Sequence, residues 1–389
     1  MDGRGTRASY RARLELLATP GVVETQLDEW AAAHGSPSGG SWRRTYGRLS
    51  REPSTWAVLA YESDQGPTVR VALRDAPTPT EPLGRVEITP CEADPALPGL
   101  AHVLSRLTDP VVVRYRPGSR CTVRGGHGAA ARYVKVVAGQ PDEQVDAENL
   151  WAAAGAGLLP FAVAEPHGCD ASTASSWYGV VPGRPLAPDL LGADGADAAG
   201  RVGAALGALA AAAVVPTRRD GPADQLARTR RTLARAAAVV PALEAGLTGA
   251  AGMLERAHRR LPHRRLVPVH GTPHAKQWLV DGSGRLGLVD FDRYALGDPE
   301  LDLATFLVEL ENDTSRVAPM AVIETALVEG FASAGGEVDH GRLSLYSMHK
   351  RLAKVARTAT SLRPDGDERA DRRLAAVADE LTFLDRDTG

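Results

Sequence analysis

Residues 266–307 constrain the fold more than any other stretch of this chain, because short apolar runs alternate there with turn-forming residues. The run 266–269 predicts a short buried strand. The runs 278–281 and 286–291 flank an Asp-Gly-Ser-Gly turn and predict a hairpin. The second strand of this hairpin ends in acidic residues.

Polar residues around the hairpin are expected to converge on one site. A hairpin carries the loop before it, residues 270–277, and the end of its second strand, at Asp290, toward the same place. A polar loop ligand combined with an Asp at a strand end is the arrangement with which kinases hold magnesium on ATP phosphates. After the hairpin, Asp298 is predicted to be the N-cap of a helix, with Pro299 at its first position.

The ordered motifs of this stretch resemble those of the aminoglycoside phosphotransferase and choline-kinase-like family. The family pattern is His-Gly-Asp, four variable residues and Asn, followed by Asp-Phe-Asp, Gly-Asp-Pro and Asp-Leu-Ala. The corresponding residues of this chain are His270-Gly271-Thr272, Gln277, Asp290-Phe291-Asp292, Gly297-Asp298-Pro299 and Asp302-Leu303-Ala304. The resemblance implies a bilobal protein-kinase-like fold, with a small β-rich lobe and a larger helical lobe that hold ATP between them.

Two positions depart from the family pattern. Gln277 replaces Asn, and its amide oxygen can still bind a metal. Thr272 replaces the catalytic Asp, and Thr cannot act as a carboxylate base at neutral pH. His274 is the nearest titratable replacement, although a His in this loop is more often structural.

The resemblance also implies roles for the remaining motif residues. Gln277 and Asp290 would bind Mg²⁺, and Asp292 would assist them or hold the loop. The residues expected to brace the loop and the helix start are His270, Asp292, Asp298 and Asp302.

A predicted strand over residues 131–137 carries the expected phosphate-contacting Lys135. Strand alternation places its side chain on the face opposite its two valine neighbours. In the family, a strand Lys contacts the α and β phosphates and a helix Glu holds that Lys. Glu148, in a helix expected over residues 142–154, matches in order and spacing. Glu143 is the weaker alternative, because an acid near a helix start is often only a complement to the helix dipole.

The turn at residues 117–119 stands where the family has its glycine-rich phosphate loop. Backbone N–H groups of Gly118 and Ser119 could meet phosphate oxygens, or the turn could simply join two strands. A predicted strand over residues 177–181 and the following segment 182–186 resemble the hinge between the lobes, whose backbone bonds the adenine ring.

The predicted fold class is α+β, with three regions. Residues 1–108 form a small α+β domain of unknown role, for which a scaffold is the simplest interpretation. Residues 109–186 form the small lobe, and residues 187–389 form the helical lobe with the catalytic loop, the metal site and the acceptor pocket. Helices are expected at residues 9–17, 23–34, 94–107, 142–154, 200–215, 224–237, 242–261, 319–334, 341–360 and 368–384. Strands outside the motif stretch are expected at residues 56–62, 68–74, 85–89, 111–116, 120–124, 131–137 and 177–181, with a flexible break at 36–40.

Composition limits the classes of partner and compartment. The net charge of −3 over 389 residues does not favour a general nucleic-acid-binding surface. No apolar run approaches the roughly 20 residues that span a bilayer, so no membrane association is expected. The N-terminal residues carry charges throughout and lack the apolar core of a signal peptide. Three widely spaced cysteines suit neither a disulfide framework nor a zinc site, so cytoplasmic residence is expected.

Basic residues concentrate before the motif stretch, where they either face solvent or form a surface for an acidic acceptor or a partner protein. They are Arg218, Arg219, Arg228, Arg230, Arg231, Arg235, His258, Arg259, Arg260, His263, Arg264 and Arg265.

Two classes of function follow from the resemblance. The first is a kinase that uses ATP, or another nucleoside triphosphate, and Mg²⁺ to transfer the γ-phosphoryl group to a hydroxyl of a small molecule or peptide. The alternative is a pseudokinase, a nucleotide-binding or scaffolding protein without phosphotransfer, because Thr272 replaces the catalytic base.

Overall fold

The computed structural model describes residues 7–35, 41–50, 54–64, 66–74, 83–141, 144–311 and 313–387. Helices and strands both contribute to it, which confirms the predicted α+β class. The strands are β1 (Trp42–Leu49), β2 (Thr55–Ser63), β3 (Thr68–Arg74), β4 (Val86–Pro90), β5 (Val111–Arg116), β6 (Arg120–Gly125), β7 (Arg132–Val137), β8 (Phe161–Ala162), β9 (Pro166–Asp170), β10 (Ser175–Tyr178), β11 (Arg184–Pro185), β12 (Val267–Val269), β13 (Trp278–Val280), β14 (Leu286–Leu288) and β15 (Ala295–Gly297). The α-helices are α1 (Arg7–Ala18), α2 (Glu24–Ala33), α3 (Leu100–Arg106), α4 (Val145–Gly155), α5 (Ala187–Leu191), α6 (Gly195–Ala211), α7 (Pro222–Val239), α8 (Glu244–Arg260), α9 (Glu300–Leu310), α10 (Met320–Ser333), α11 (His340–Ala359) and α12 (Gly366–Asp387).

The chain divides into two compact units, and each contains more than one segment. The first unit comprises Met1–Glu143, His167–Gly179 and Thr358–Arg369, and the second comprises Gln144–Pro166, Val180–Arg357 and Ala370–Gly389. The predicted domain boundaries at residues 108 and 186 stay a prediction.

The first unit contains two sheets, with the strand orders β1-β2-β3-β4 and β5-β6-β7-β10-β9. β2 is buried along most of its length, unlike a strand with one face in water. One of its faces, with Leu59, packs against α1 and α2, and the other, with Ala60, packs against β6 and β7. The N-terminal sheet therefore shares a core with the sheet that carries Lys135.

The second unit contains the motif stretch. β13 and β14 pair as the predicted hairpin, and β8 and β11 extend it to the order β11-β13-β14-β8. β12 pairs with β15. α9 is buried along nearly its whole length and shares one apolar core with α6 and α10. This core holds the loop after β12 and the first turn of α9 at fixed positions.

Most predicted helices are confirmed, but the helix expected over residues 94–107 is shorter. Only Leu100–Arg106 is α-helical, and Cys91–Ala93 forms a separate 3₁₀ turn. Pro98, which lacks a backbone N–H, lies between the two and prevents a continuous helix.

Two strands of the first unit, β1 and β9, were not predicted. β1 lies at the edge of its sheet and exposes Arg43 and Arg44, so its sequence lacks the apolar alternation of a half-buried strand. The break expected at residues 36–40 lies outside the described residues.

Two details of the motif stretch differ from the prediction. β14 ends at Leu288 instead of residue 291, because Asp290 adopts the left-handed conformation with φ of 72°. The N-cap of α9 is Pro299, so the prediction that Asp298 caps this helix is wrong. The Asp298 carboxylate instead accepts hydrogen bonds from Arg342 and Tyr346.

None of the helices in the described part of the chain combines the length and the apolar character needed to cross a membrane.

Candidate functional site

The loop after β12 is tied to the first turn of α9 through one carboxylate. The backbone N–H groups of His270 and Gly271 donate to the two oxygens of Asp302, each at 2.7 Å. Asp302 is buried, and this burial raises its pKa to about 7, although the two N–H groups and the nearby Lys350 amine oppose the rise. The loop therefore cannot leave its place without exposing or breaking a buried hydrogen-bond pair.

The His270 ring joins three segments of the site. Its Nε2 lies 3.1 Å from the carbonyl oxygen of Val289, and its Nδ1 lies 3.3 Å from the backbone N of Thr272. A carbonyl only accepts and an N–H only donates, so this pattern assigns the proton to Nε2. The ring also packs on Phe291, with centroids 4.5 Å apart. These contacts give His270 a structural environment.

Gly271 is required by the path of the loop. Its φ is +87°, and a Cβ there would lie 2.6 Å from the carbonyl oxygen of Arg293. Any larger residue would push the loop away from the segment that follows Asp290.

Thr272 occupies the position of the family's catalytic Asp and is partly exposed. Its backbone N–H binds His270, and its carbonyl oxygen accepts from the backbone N–H of His274 at 2.8 Å. The local turn is therefore closed by main-chain groups, and the side chain contributes an uncharged hydroxyl. His274 lies half-buried in the same turn. Its role as a replacement for the missing base stays a prediction.

Gln277 and Asp290, the predicted metal ligands, are brought together by the hairpin. Gln277 Nε2 donates to Asp290 Oδ2 at 3.1 Å, and Gln277 Oε1 accepts from the His274 N–H at 3.1 Å. The amide oxygen keeps a second lone pair. Asp290 holds its left-handed conformation, which for a non-glycine residue costs about 1–2 kcal/mol. Such strain concentrates at functional sites.

The residues present fit a magnesium ion that arrives with a nucleotide. No group of three or more His, Cys, Asp or Glu side chains among the described residues could hold a metal by itself. Mg²⁺ usually binds one or two carboxylates and takes its other oxygens from phosphates and water. The carboxylate of Asp290 and the amide oxygen of Gln277 match this smaller set in ligand type, and in this conformation the amide nitrogen of Gln277 is the atom that contacts Asp290.

Asp292 and Asp298 lie on either side of β15. The Asp292 carbonyl oxygen accepts from Arg218 Nη1 at 2.9 Å. Asp298 is buried, and its Oδ2 accepts from Arg342 Nη1 at 2.9 Å and Tyr346 Oη at 2.6 Å. Asp298 thus links the start of α9 to α11, and its predicted bracing function rests on this link.

Lys135 and Glu148 belong to different units, so their predicted pairing stays a prediction. Lys135 lies on the partly exposed face of β7, with its amine 5.8 Å from the centroid of the Tyr178 ring, and Val134 and Val136 fill the opposite face. Glu148 is exposed and lies in the first turn of α4. An acidic residue in the first turn of a helix complements the helix dipole. The sequence suggested this simpler role for Glu143. Glu143 itself lies outside the described residues.

The turn at residues 117–119 uses its backbone donors inside the protein. The Gly118 N–H donates to Asp94 Oδ2 at 2.7 Å, and the Ser119 N–H donates to the carbonyl oxygen of Arg116 at 3.0 Å. Both N–H groups therefore bond inside the protein in this conformation, and the suggestion that they bind phosphate stays a prediction. The Ser119 hydroxyl is another group of this turn that can bond a phosphate oxygen.

Asp94 was not predicted as a site residue. It is buried, and it also accepts from Tyr115 Oη at 2.8 Å and the Ala96 N–H at 3.0 Å. No local pattern distinguishes Asp94 in the sequence, because its partners lie up to 24 residues away.

Comparison with models of protein families assigns this chain to one family. The model of the family described as "Phosphotransferase enzyme family" matches residues 118–346, which is more than half of the chain. A search of curated proteins finds no match.

Solved structures of similar fold include two small-molecule kinases. A choline kinase from Streptococcus pneumoniae is 14% identical with a TM-score of 0.50, over 71% of this chain and 97% of that chain. An amicoumacin kinase solved with AMP-PNP, Ca²⁺ and its ligand is 12% identical with a TM-score of 0.55, over 72% of this chain and 93% of that chain. At these identities the similarity shows the protein-kinase-like fold alone.

Proposed function

Because the chain belongs to the phosphotransferase enzyme family, we propose that it binds ATP with magnesium and transfers the γ-phosphoryl group slowly to a hydroxyl of a small molecule. One observation carries the proposal. Gln277 and Asp290 meet at 3.1 Å beside a loop that Asp302 holds by two hydrogen bonds, and Asp290 is kept in a strained conformation.

The residues assigned to nucleotide binding would have distinct functions. In the first unit, Lys135 would neutralise phosphate charge, with Asp94 fixing the turn that contains Ser119. In the second unit, Gln277 and Asp290 would hold the magnesium ion, which supplies charge stabilisation at the transferring phosphate. His270 and Asp302 would keep the loop in position for the acceptor.

The base position sets the expected rate. A positioned general base contributes about 10²–10⁴ in rate, or roughly 3–5 kcal/mol, and Thr272 cannot supply this at neutral pH. Phosphoryl transfer depends mainly on positioning and charge stabilisation, so turnover would be slow instead of absent. Two of the solved structures of similar fold are kinases of choline and amicoumacin, which favours a small-molecule acceptor over a peptide.

The second candidate is a pseudokinase, and Thr272 is the observation that favours it. In that case the same residues bind the nucleotide, but no phosphoryl group is transferred.

Nucleotide binding is tested by thermal unfolding with millimolar ATP, in magnesium and in EDTA. A ligand that binds only the folded state stabilises it by about 2.7 kcal/mol at a hundredfold excess over its Kd. Asp290→Ala should remove the magnesium-dependent part of the shift, and Asp197→Ala, which removes an exposed carboxylate on α6, should keep it. A wild-type melting temperature that does not respond to ATP and magnesium would contradict both candidate functions.

A further inference from the structure

Three arginines of the second unit gather beside the catalytic loop. Residues 218–220 run alongside β15, with Leu296 N donating to Arg218 O at 2.9 Å and Asp220 N donating to Leu296 O at 2.8 Å. The other edge of β15 pairs with β12, which leads into the loop. Arg228 enters this group from α7, through its ion pair with Asp220.

Arg293 places this group next to the base position. Its carbonyl oxygen and Cβ would lie 2.6 and 2.8 Å from a Cβ at Gly271, so its backbone is in direct contact with the residue before Thr272. Arg218 approaches the same point, because its Nη1 donates to the carbonyl oxygen of Asp292 at 2.9 Å. Both arginines therefore lie where the loop meets the Asp290–Asp292 segment.

The described part of the chain does not pair every arginine of this group with a carboxylate. Arg228 is paired, since its Nη2 lies 2.9 and 2.8 Å from the two oxygens of Asp220. Among the described residues, the Arg218 guanidinium bonds a carbonyl oxygen, which carries no net charge. Arg293 is exposed, and no side-chain hydrogen bond or ion pair joins it to another residue of the described part of the chain.

Electrostatics of Arg293 agree with this imbalance. Although Arg293 is exposed as a whole residue, partial desolvation of its guanidinium, followed by the repulsion of Arg228 and Arg218, lowers its pKa, and the carboxylates of Asp220 and Asp292 oppose the shift. Among the described groups that act on Arg293, the two arginines and Arg293 itself carry one more charge than the two carboxylates. An oxyanion would relieve the repulsion and fill the unused N–H donors, because the planar guanidinium binds phosphate and carboxylate in a two-bond geometry.

We propose that Arg293 and Arg218 form an oxyanion-binding subsite for the acceptor, so that the acceptor carries a phosphate or carboxylate close to its reacting hydroxyl. This assignment of the acceptor class rests on the proposed phosphotransfer. It also accounts for the substitution at the base position, because an Asp in place of Thr272 would repel an anion held by the neighbouring arginines.

The subsite is tested by titrating the protein with inorganic phosphate at low ionic strength, in EDTA and without nucleotide, and measuring heat release. Arg293→Gln and Arg218→Gln should each weaken phosphate binding at least about tenfold, the loss expected for one charge-assisted hydrogen-bonding partner. Arg231→Gln is the matched control, since it removes an equal charge from an exposed position on α7, and it should change binding less than about twofold.

The site for the phosphate groups of the nucleotide is the other place where inorganic phosphate could bind. Lys135→Ala marks that location, and a loss of phosphate binding in Lys135→Ala as large as the loss in Arg293→Gln would place the anion at the nucleotide site and overturn the proposal. Equal losses in Arg231→Gln and Arg293→Gln would show that the positive surface attracts phosphate without a specific site, which would also overturn the proposal. A wild-type protein that does not bind phosphate would overturn it as well. A magnesium–ATP titration of the same samples distinguishes failure of the proposed function from failure of the oxyanion subsite. Phosphate binding through Arg293 without any ATP binding would contradict the proposed function and support the oxyanion subsite alone.

Discussion

Replacement of Asp94 should destabilise the first unit, because a buried carboxylate there serves three donors. Tyr115 is 2% exposed, and Asp94→Ala leaves its Oη without its acceptor at 2.8 Å. The Gly118 and Ala96 N–H groups lose theirs as well, but both residues are partly exposed, so water can replace the acceptor at lower cost. A buried donor left unpaired costs about 1–3 kcal/mol, so the expected loss is roughly 2–4 kcal/mol of the free energy of unfolding.

Equilibrium urea unfolding of wild type and four variants measures this loss. Asp94→Asn should lose less than Asp94→Ala, since its amide oxygen can still accept one hydrogen bond. Tyr115→Phe removes a single donor and should cost about 1 kcal/mol. Glu92→Ala, which removes an exposed carboxylate nearby, is the control and should stay within about 0.5 kcal/mol of wild type.

The same proteins connect the turn to the nucleotide. Asp94→Ala should weaken ATP binding, measured well below its melting temperature, while Glu92→Ala should not. A loss of stability below about 1 kcal/mol for Asp94→Ala would show that water satisfies these donors, and the assignment of Asp94 as the residue that positions the turn would then fail.

Two further predictions concern Lys135 and His349. Lys135→Ala should weaken ATP binding and leave the urea midpoint unchanged, and an unchanged ATP affinity would show that Lys135 is an ordinary strand lysine. His349 is buried, and its pKa is lowered well below the usual value by desolvation, followed by the charges of His258, Lys350 and Arg228. The folded protein therefore keeps His349 neutral at a pH where the unfolded chain binds a proton. Its contribution to stability is therefore present above about pH 6.5 and is lost on acidification, by up to roughly 1.4 kcal/mol per pH unit. Unfolding free energies at pH 7.5, 6.5 and 5.5 should fall less steeply in His349→Gln, and an equal slope in both proteins would contradict this assignment.

The parts of the site that depend on local pattern could be predicted from the sequence. The hairpin of β13 and β14 follows from two apolar runs and a turn, and it brings Gln277 to Asp290 as expected. The faces of β7 follow from alternation, which places Lys135 opposite Val134 and Val136.

The parts that depend on distant partners could not be predicted. The sequence around Asp298 has the form of an N-cap, but Arg342 and Tyr346 lie 44 and 48 residues away and take its carboxylate. Asp94 reaches the turn across 24 residues. The helix containing Glu148 begins three residues later than expected, at Val145, which moves Glu148 into the first turn.

Arg218 and Arg228 were recognised from sequence only as part of a basic concentration, and Arg293 was not singled out. Their composition did not distinguish a solvated surface from a binding site. The strand pairing of residues 218–220 with β15 separates Arg218 and Arg293, which lie at the loop, from Arg230, which is paired with Glu255.

The central claim is that this site binds metal and nucleotide but lacks its usual base. ATP hydrolysis with water as acceptor tests it without knowledge of the natural substrate, in wild type, Thr272→Asp and the double variant Thr272→Asp with Asp290→Ala. We expect slow hydrolysis by wild type and a rate at least about tenfold higher for Thr272→Asp, because a tenfold gain is a modest part of what a positioned base supplies. The double variant should lose that gain. Brisk hydrolysis by wild type that slows in Thr272→Asp would contradict the account, and it would direct attention to His274 as the base.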